Sequence, residues 1–280
     1  VTRRSTKRPP RLEVVSTERV RRPPRVPGPR SRLVRAKVAG RHDRLGRTEL
    51  LSVARRLIAG ERSALLGLDR FPDLTPAEVG AVLHSVWGWD DSEPSVTIDA
   101  DHVLAAFDAA RGRVVDVARR GGRVAFATSR PASLLGCHAA LARLAAAAGA
   151  TVLDPGQAGP FAAAGRARAR LWWIEGVAVV TDGEGLLADA GLEAGPEMLF
   201  EVPRPDLVVA DRGFAGAAVA SGIEVVALAD LDAMALAVAA ARGLPVTVVP
   251  LHERRPAAAY SVLTERLGVT PGAPPAPPAP

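Results

Sequence analysis

The chain has 280 residues, 48% of them hydrophobic, enough to bury one full-sized core without disulfides or a structural metal. Its single cysteine, Cys137, excludes an internal disulfide and a four-cysteine zinc cage, which fits a reducing cytoplasm. No apolar run approaches the ~20 residues needed to span a bilayer, so no membrane partner is expected.

The net charge of +6 is unevenly spread: residues 1–45 hold 15 Lys/Arg against 3 Asp/Glu, and residues 46–280 hold 21 against 27. The basicity therefore belongs to an arm on an acidic body. Of the 24 prolines, six lie in the first thirty residues and six in the last ten. Like charges and repeated prolines bury too little surface to offset ordering entropy, so 1–45 and 268–280 are expected to be disordered. The arm is either a solvated tail or a non-specific contact for nucleic acid or another polyanion. Its start, VTRRSTKRPPRLEVV, is basic like a signal peptide but lacks the apolar stretch that would follow in one.

From Gly46 the pattern turns periodic, and residues 46–267 read as one domain. Thr48 with ELLSVARRLIA predicts a helix ended by Gly60. Thr75-Pro76-Ala77-Glu78 is a capping box with proline at the first helical position, which predicts a helix over 76–87. Asp99 caps a long amphipathic helix that stops at Gly121-Gly122. RVAFAT at 123–128 is a short apolar strand, followed by a helix over 133–148. TVLD at 151–154 predicts another strand, 155–165 a glycine- and alanine-rich break, and 169–174 with 177–181 a hairpin about Glu175-Gly176. A short helix near Pro196 follows. Strands at 206–210, 223–229 and 246–249 then alternate with helices at 214–221 and 231–242.

Strands alternating with helices require mostly parallel pairing and right-handed crossovers. The fold class is α/β: a Rossmann-like three-layer α/β/α sandwich with a mostly parallel sheet, a helical N-terminal part and disordered termini. In such a sheet ligands bind beyond the carboxyl ends of the strands. Two loops there carry chemistry. Thr128, Ser129 and Arg130 precede a helix and suit an oxyanion, or simply cap that helix. Asp211 and Arg212 stand at the matching end of the strand 206–210, and Asp230 and Asp232 follow the next one.

The histidines promise less. His84 and His102 fall in helices away from that edge, His42 in the arm, and His138 reads as a packing residue. His252 follows the last strand and can reach the rim, with no second histidine spaced for metal binding. Trp172 and Trp173 read as core and strand-face residues. There is no dinucleotide-binding glycine loop, P-loop or serine elbow.

LLGLD at 65–69, IDADHVLAAFDA at 98–109, RPASLLGCHAALA at 130–142, WWIEGVAVV at 172–180, PDLVVADRGFAGAAVASGIEVVALAD at 205–230 and VPLHERRPAAAY at 249–260 stand in order. In these segments, from about Ser63 to Tyr260, the chain resembles a family of actinobacterial α/β proteins called simply phosphatases. The resemblance implies hydrolysis of a phosphomonoester. In that family the loop matching ATSRP reads GTGHP and the loop matching ADRG reads GDHG. Arg130 and Arg212 therefore stand where the family has histidine, while Asp211 and Asp230 are retained. Arginine stays protonated and serves only as cation and hydrogen-bond donor.

Two functions follow as expectations. One is a phosphatase-like hydrolase acting on a small phosphorylated molecule, with Asp211 and Asp230 catalytic and Thr128, Ser129, Arg130 and Arg212 holding phosphate. A divalent cation such as Mg²⁺ would then sit among Asp69, Asp211, Asp230 and Asp232. The other is an inactive member that binds a phospho-ligand, with the arm on nucleic acid.

Overall fold

The computed structural model describes residues 27–268. It begins with helix α1 (Pro29–Arg35), strand β1 (Gly40–Arg41), helices α2 (Arg47–Ala59), α3 (Arg62–Leu65) and α4 (Pro76–Trp87), then β2 (Thr97–Ile98) and the long α5 (Ala100–Arg119). Next come β3 (Arg123–Ala127), α6 (Pro131–Ala147), β4 (Thr151–Val152), β5 (Gln157–Ala163), β6 (Arg166–Ile174), β7 (Val177–Thr181) and β8 (Leu186–Leu187). The chain closes through α7 (Gly191–Glu201), β9 (Leu207–Asp211), α8 (Arg212–Ala220), β10 (Val225–Ala229), α9 (Met234–Ala241), β11 (Val246–Pro250) and α10 (Ser261–Glu265).

Local chemistry sets the helix ends. Thr75 Oγ1 accepts from the Glu78 amide at 3.2 Å, with Pro76 at the first helical position of α4. Asp99 Oδ1 accepts from the Asp101 and His102 amides at the start of α5.

The main sheet runs β11-β10-β9-β3-β7-β6-β5, with β4 also on β3 and β8 on β7. From β11 to β7 the pairings are parallel, and β6 and β5 extend the sheet antiparallel. The parallel strands β9 and β10 are buried along their whole length, as strands covered by helices on both faces must be. No helix among the described residues is long and apolar enough to cross a membrane.

Two expectations change. Residues 27–45 do not belong to an extended arm: α1 buries Leu33, β1 pairs antiparallel with β2, and Val38 receives the His252 amide on its carbonyl. Four buried apolar side chains in this basic stretch, Leu33, Val38, Ala39 and Leu45, suffice because a preformed body accepts them. The disorder expected over 1–26 and 269–280 lies outside the described residues. The supposed break at 155–165 contains β5, whose weak strand formers are overridden by pairing along β6.

Helix α8 packs through glycines against α7 and against the end of α3. A Cβ on Gly213 would lie 2.3 Å from the Leu192 nitrogen, and one on Gly216 only 1.8 Å from the Leu66 carbonyl oxygen. Gly216→Ala must push backbone apart and is expected to lower stability by about 1–3 kcal/mol. Urea unfolding checks this, and an unchanged midpoint would contradict that packing.

Candidate active site

At the carboxyl end of β3 the chain turns through Thr128, Ser129 and Arg130 into α6, and at the end of β9 it turns through Asp211 into α8. The first loop wraps the second. Thr128 Oγ1 donates to Asp211 Oδ2, the Ser129 amide donates to Asp211 Oδ1 at 2.7 Å, and the Arg130 amide donates to Thr128 Oγ1 at 2.9 Å. His138 Nε2, two turns into α6, lies 3.6 Å from Asp211 Oδ2. Burial opposes ionisation of Asp211, but His138, Thr128 and the Ser129 amide hold its pKa below the usual carboxylate value. Thr128 and Ser129, expected to hold phosphate, thus hold Asp211 through a hydroxyl and an amide, and both oxygens of this buried carboxylate are occupied.

Two guanidiniums meet beside this knot. Arg130 Nε lies 3.4 Å, and Arg212 Nη1 3.2 Å, from the same oxygen of Glu253, just beyond β11. Asp189, between β8 and α7, bridges them from outside, with Oδ2 at 2.5 Å from Arg130 Nη1 and Oδ1 at 3.6 Å from Arg212 Nε. Arg212 also holds Asp232 at 2.9 Å. Arg130 Nη2 is buried with no hydrogen-bond partner among the described residues. Asp189 is half exposed, whereas the Arg130 side chain is 6% exposed. Arg212 adopts φ 47, a left-handed conformation uncommon for a residue with a side chain.

Glu253 is wholly buried, and burial pushes its pKa up to about 7 despite the opposing Arg212 charge, with Asp232, Asp211 and Asp230 adding repulsion. Its second oxygen accepts from the Asp230 amide at 3.0 Å. Glu253 thereby joins the arginine pair to a second cluster.

That cluster is His42, Asp230 and His252. The two imidazoles stack with centroids 3.8 Å apart and planes 15° from parallel. His42 Nδ1 accepts from the Leu45 amide at 2.8 Å and the Arg44 amide at 3.2 Å. In the neutral ring the proton therefore sits on Nε2, which faces both Asp230 oxygens at 3.1 and 3.2 Å. His252 Nδ1 lies 3.2 Å from Asp230 Oδ2. Burial opposes ionisation of Asp230 too, but His252 and His42 hold its pKa far below the carboxylate range. The trio borders a cavity of about 60 Å³, also lined by Glu49, Asp232, Arg44 and Arg254.

One atom from each of the three residues lies within 4.8 Å of the others, near enough to surround a metal. A histidine that binds metal through Nε2 keeps its proton on Nδ1, facing an acceptor. His42 Nδ1 faces two donors, so the ring is set to give Asp230 a proton and not a lone pair to a metal.

The structure gathers Thr128, Ser129, Arg130, Asp211, Arg212, Asp230 and Asp232 at the strand ends expected of them. It does not gather the four aspartates as one ligand set: Asp69 is exposed in the loop after α3, Asp211 is tied to Thr128 and Ser129, and Asp232 to Arg212. His42, assigned to the arm, is part of the site. His138 packs as expected and also backs Asp211. Asp189 carried no motif, and Glu253 lay in the family-like segment VPLHERRPAAAY without a role assigned to it. Its place just past the last strand was the signal that could have found it.

The profile of a family described as "Phosphatase" matches residues 28–268. The chain is also similar to a protein named Phosphatase SCO2771 from Streptomyces coelicolor (strain ATCC BAA-471 / A3(2) / M145), with 33% identity over 252 residues, 81% of this chain and 91% of that one. The family match starts well before Ser63, so the stretch holding His42 is shared with the family and is not an addition.

Proposed function

The chain belongs to this phosphatase family, and from that premise we propose that it hydrolyses a small phosphomonoester in the cytoplasm, the phosphoryl group displacing Asp189 from between Arg130 and Arg212. One observation carries the reading: a half-exposed carboxylate sits between two largely buried guanidiniums at the strand ends. A phosphoryl group offers more oxygens and more charge than a carboxylate, and forked guanidiniums match it well. Arg130 and Arg212 hold its oxygens and stabilise the charge that develops on them. Water supplies the new P–O bond as the ester P–O bond breaks. Glu253, titrating near neutrality and touching both guanidiniums, protonates the leaving alcohol. His252, with Asp230 at its Nδ1, accepts the proton of the water, for which the adjoining cavity of about 60 Å³ has room. Asp211 becomes a positioning residue that ties the Arg130 loop to β9. Two arginines supply the positive charge that a divalent cation would otherwise bring.

The Arg130 and Arg212 departures favour a second reading, an inactive member that binds a phospho-ligand, since neither side chain can donate a proton. Phosphate release by the full chain, across phosphomonoesters and with Mg²⁺, Mn²⁺ or chelator, separates the two. Release is expected, insensitive to chelator and reduced at least about 100-fold in Arg130→Ala. No release with a phosphate-dependent rise in melting temperature would leave the binding reading. Neither effect in the wild type or in Asp189→Ala would overturn both.

Asp189→Ala gives a further expected outcome. With the internal carboxylate gone, inorganic phosphate binds about tenfold more tightly by calorimetry, and unchanged affinity would show that the anion binds elsewhere.

A further inference from the structure

Next to the antiparallel edge of the sheet, strand β6 reads RARARLWWI and alternates exposed and buried from Arg168 to Trp173. Arg166, Arg168, Arg170 and Trp172 fall on one face and are exposed, while Ala169, Leu171 and Trp173 on the other are buried. Successive members of the exposed row stand roughly 6.7 Å apart, two strand rises. Arg166 lies 3.4 Å from Asp182, but Arg168 and Arg170 have no carboxylate or hydrogen-bond partner among the described residues. Trp172 is 52% exposed. On the neighbouring strands Trp172 pairs with Gln157 of β5 and Val179 of β7, and Arg170 with Thr181, all uncharged.

This row runs against the rest of the body in two ways. Residues 46–280 hold six more acidic than basic side chains, 27 against 21, yet three arginines line up here with two of them uncompensated. Tryptophan is usually buried in at least part of its surface because each ring carries a large apolar area. Trp87 and Trp89 are almost wholly buried, whereas Trp172 stands in water at the end of the arginine row. Guanidiniums spaced along an extended line attract a chain of phosphates, and an exposed ring in the same line offers a base a face to stack on. An acidic peptide would use the arginines but leave the ring without a partner.

We propose that the exposed face of β6 binds single-stranded nucleic acid, with Arg168 and Arg170 on successive phosphates and Trp172 stacked on a base. The surface is separate from the strand-end site, because it uses the β6 face and none of Arg130, Arg212, Glu253, His42 or His252. The nine Lys/Arg against two Glu within residues 1–26 would add affinity to the same ligand.

The test is fluorescence anisotropy of the full chain with a labelled 20-nucleotide oligothymidine over a salt series, and with tryptophan emission read in parallel. Binding is expected to quench the emission. The Arg168→Ala/Arg170→Ala double variant should bind at least tenfold more weakly, with a salt slope shallower by about 1.4, two phosphates at ~0.7 each. Trp172→Ala should lose about tenfold and most of the quench. Both variants sit on an exposed face, and their melting temperatures and phosphate-release rates serve as controls. Unchanged affinity in both variants would overturn the proposal, as would binding abolished by removal of residues 1–26 alone. Equal binding of oligoglutamate would overturn it in favour of an acidic protein partner.

Discussion

Asp211→Ala is expected to lower the free energy of unfolding by about 3–5 kcal/mol. The change strands the Ser129 amide and the Thr128 hydroxyl, both buried, and each group left without a partner costs ~1–3 kcal/mol. His138 also loses the carboxylate beside its Nε2. Asp211→Asn should cost less, since its carbonyl can still accept from the Ser129 amide. The loss would be read from urea unfolding of the full chain at pH 7.5. A cost under 1 kcal/mol would mean that the knot between the β3 and β9 loops does not organise the site. The same variant should slow phosphate release, because Arg130 follows directly on Thr128 and Ser129 in that knot.

Glu253→Gln carries the second large effect, and it acts on pH dependence. The carboxyl in the folded chain titrates at about 7, above its ordinary value of 4.5, so the native state binds the proton more tightly than the unfolded state. Stability from this group is fully present below pH 4.5 and is lost as pH rises to about 7, after which the curve is flat. The loss across that window is about 3 kcal/mol at ~1.36 kcal/mol per pH unit. Asp211 and Asp230 act in the opposite direction, but their depressed pKa values confine their effect to more acid solution. Denaturant unfolding between pH 5 and 8 of the wild type and Glu253→Gln shares the contribution of the buried histidines, so the difference between the two curves reports Glu253, and the variant should show the shallower decline. For hydrolysis the variant should lose about 10²–10⁴-fold in kcat/KM and the limb of the pH profile near 7. An unchanged profile would remove Glu253 as the acid.

Much of the fold could be read from local chemistry. Thr75 and Asp99 announced their helices because an N-cap needs only its own side chain and the next turn. The apolar runs at 206–210 and 223–229 announced buried parallel strands because both faces must be covered, and β9 and β10 formed within a residue or two of them. The loops ATSRP and ADRG could be placed at one edge on topology alone. Their internal wiring could not: the sequence suggested a phosphate cradle at Thr128 and Ser129, and only the approach of β9 to β3 shows that Asp211 fills it.

The residues that escaped notice share a feature. His42 lies in a basic, proline-rich stretch whose composition argues for disorder, and it reaches the site across 188 residues to touch Asp230. Asp189 and Glu253 sit in short polar segments like many surface loops. Each acquires meaning only from a partner remote in the chain, and no periodicity encodes such a pairing.

By itself, then, the sequence determined the α/β alternation, the start of the side-chain-capped helices α4 and α5, and the edge of the sheet at which chemistry gathers, since these depend on period and on capping within a few residues. Its resemblance to the phosphatases also gave the family. Tertiary structure alone decided that Asp189 bridges Arg130 and Arg212, that Glu253 is buried enough to titrate near neutrality, and that His42 stacks on His252. Burial, charge pairing and ring stacking are set by distances between segments, and those distances exist only once the sheet has assembled.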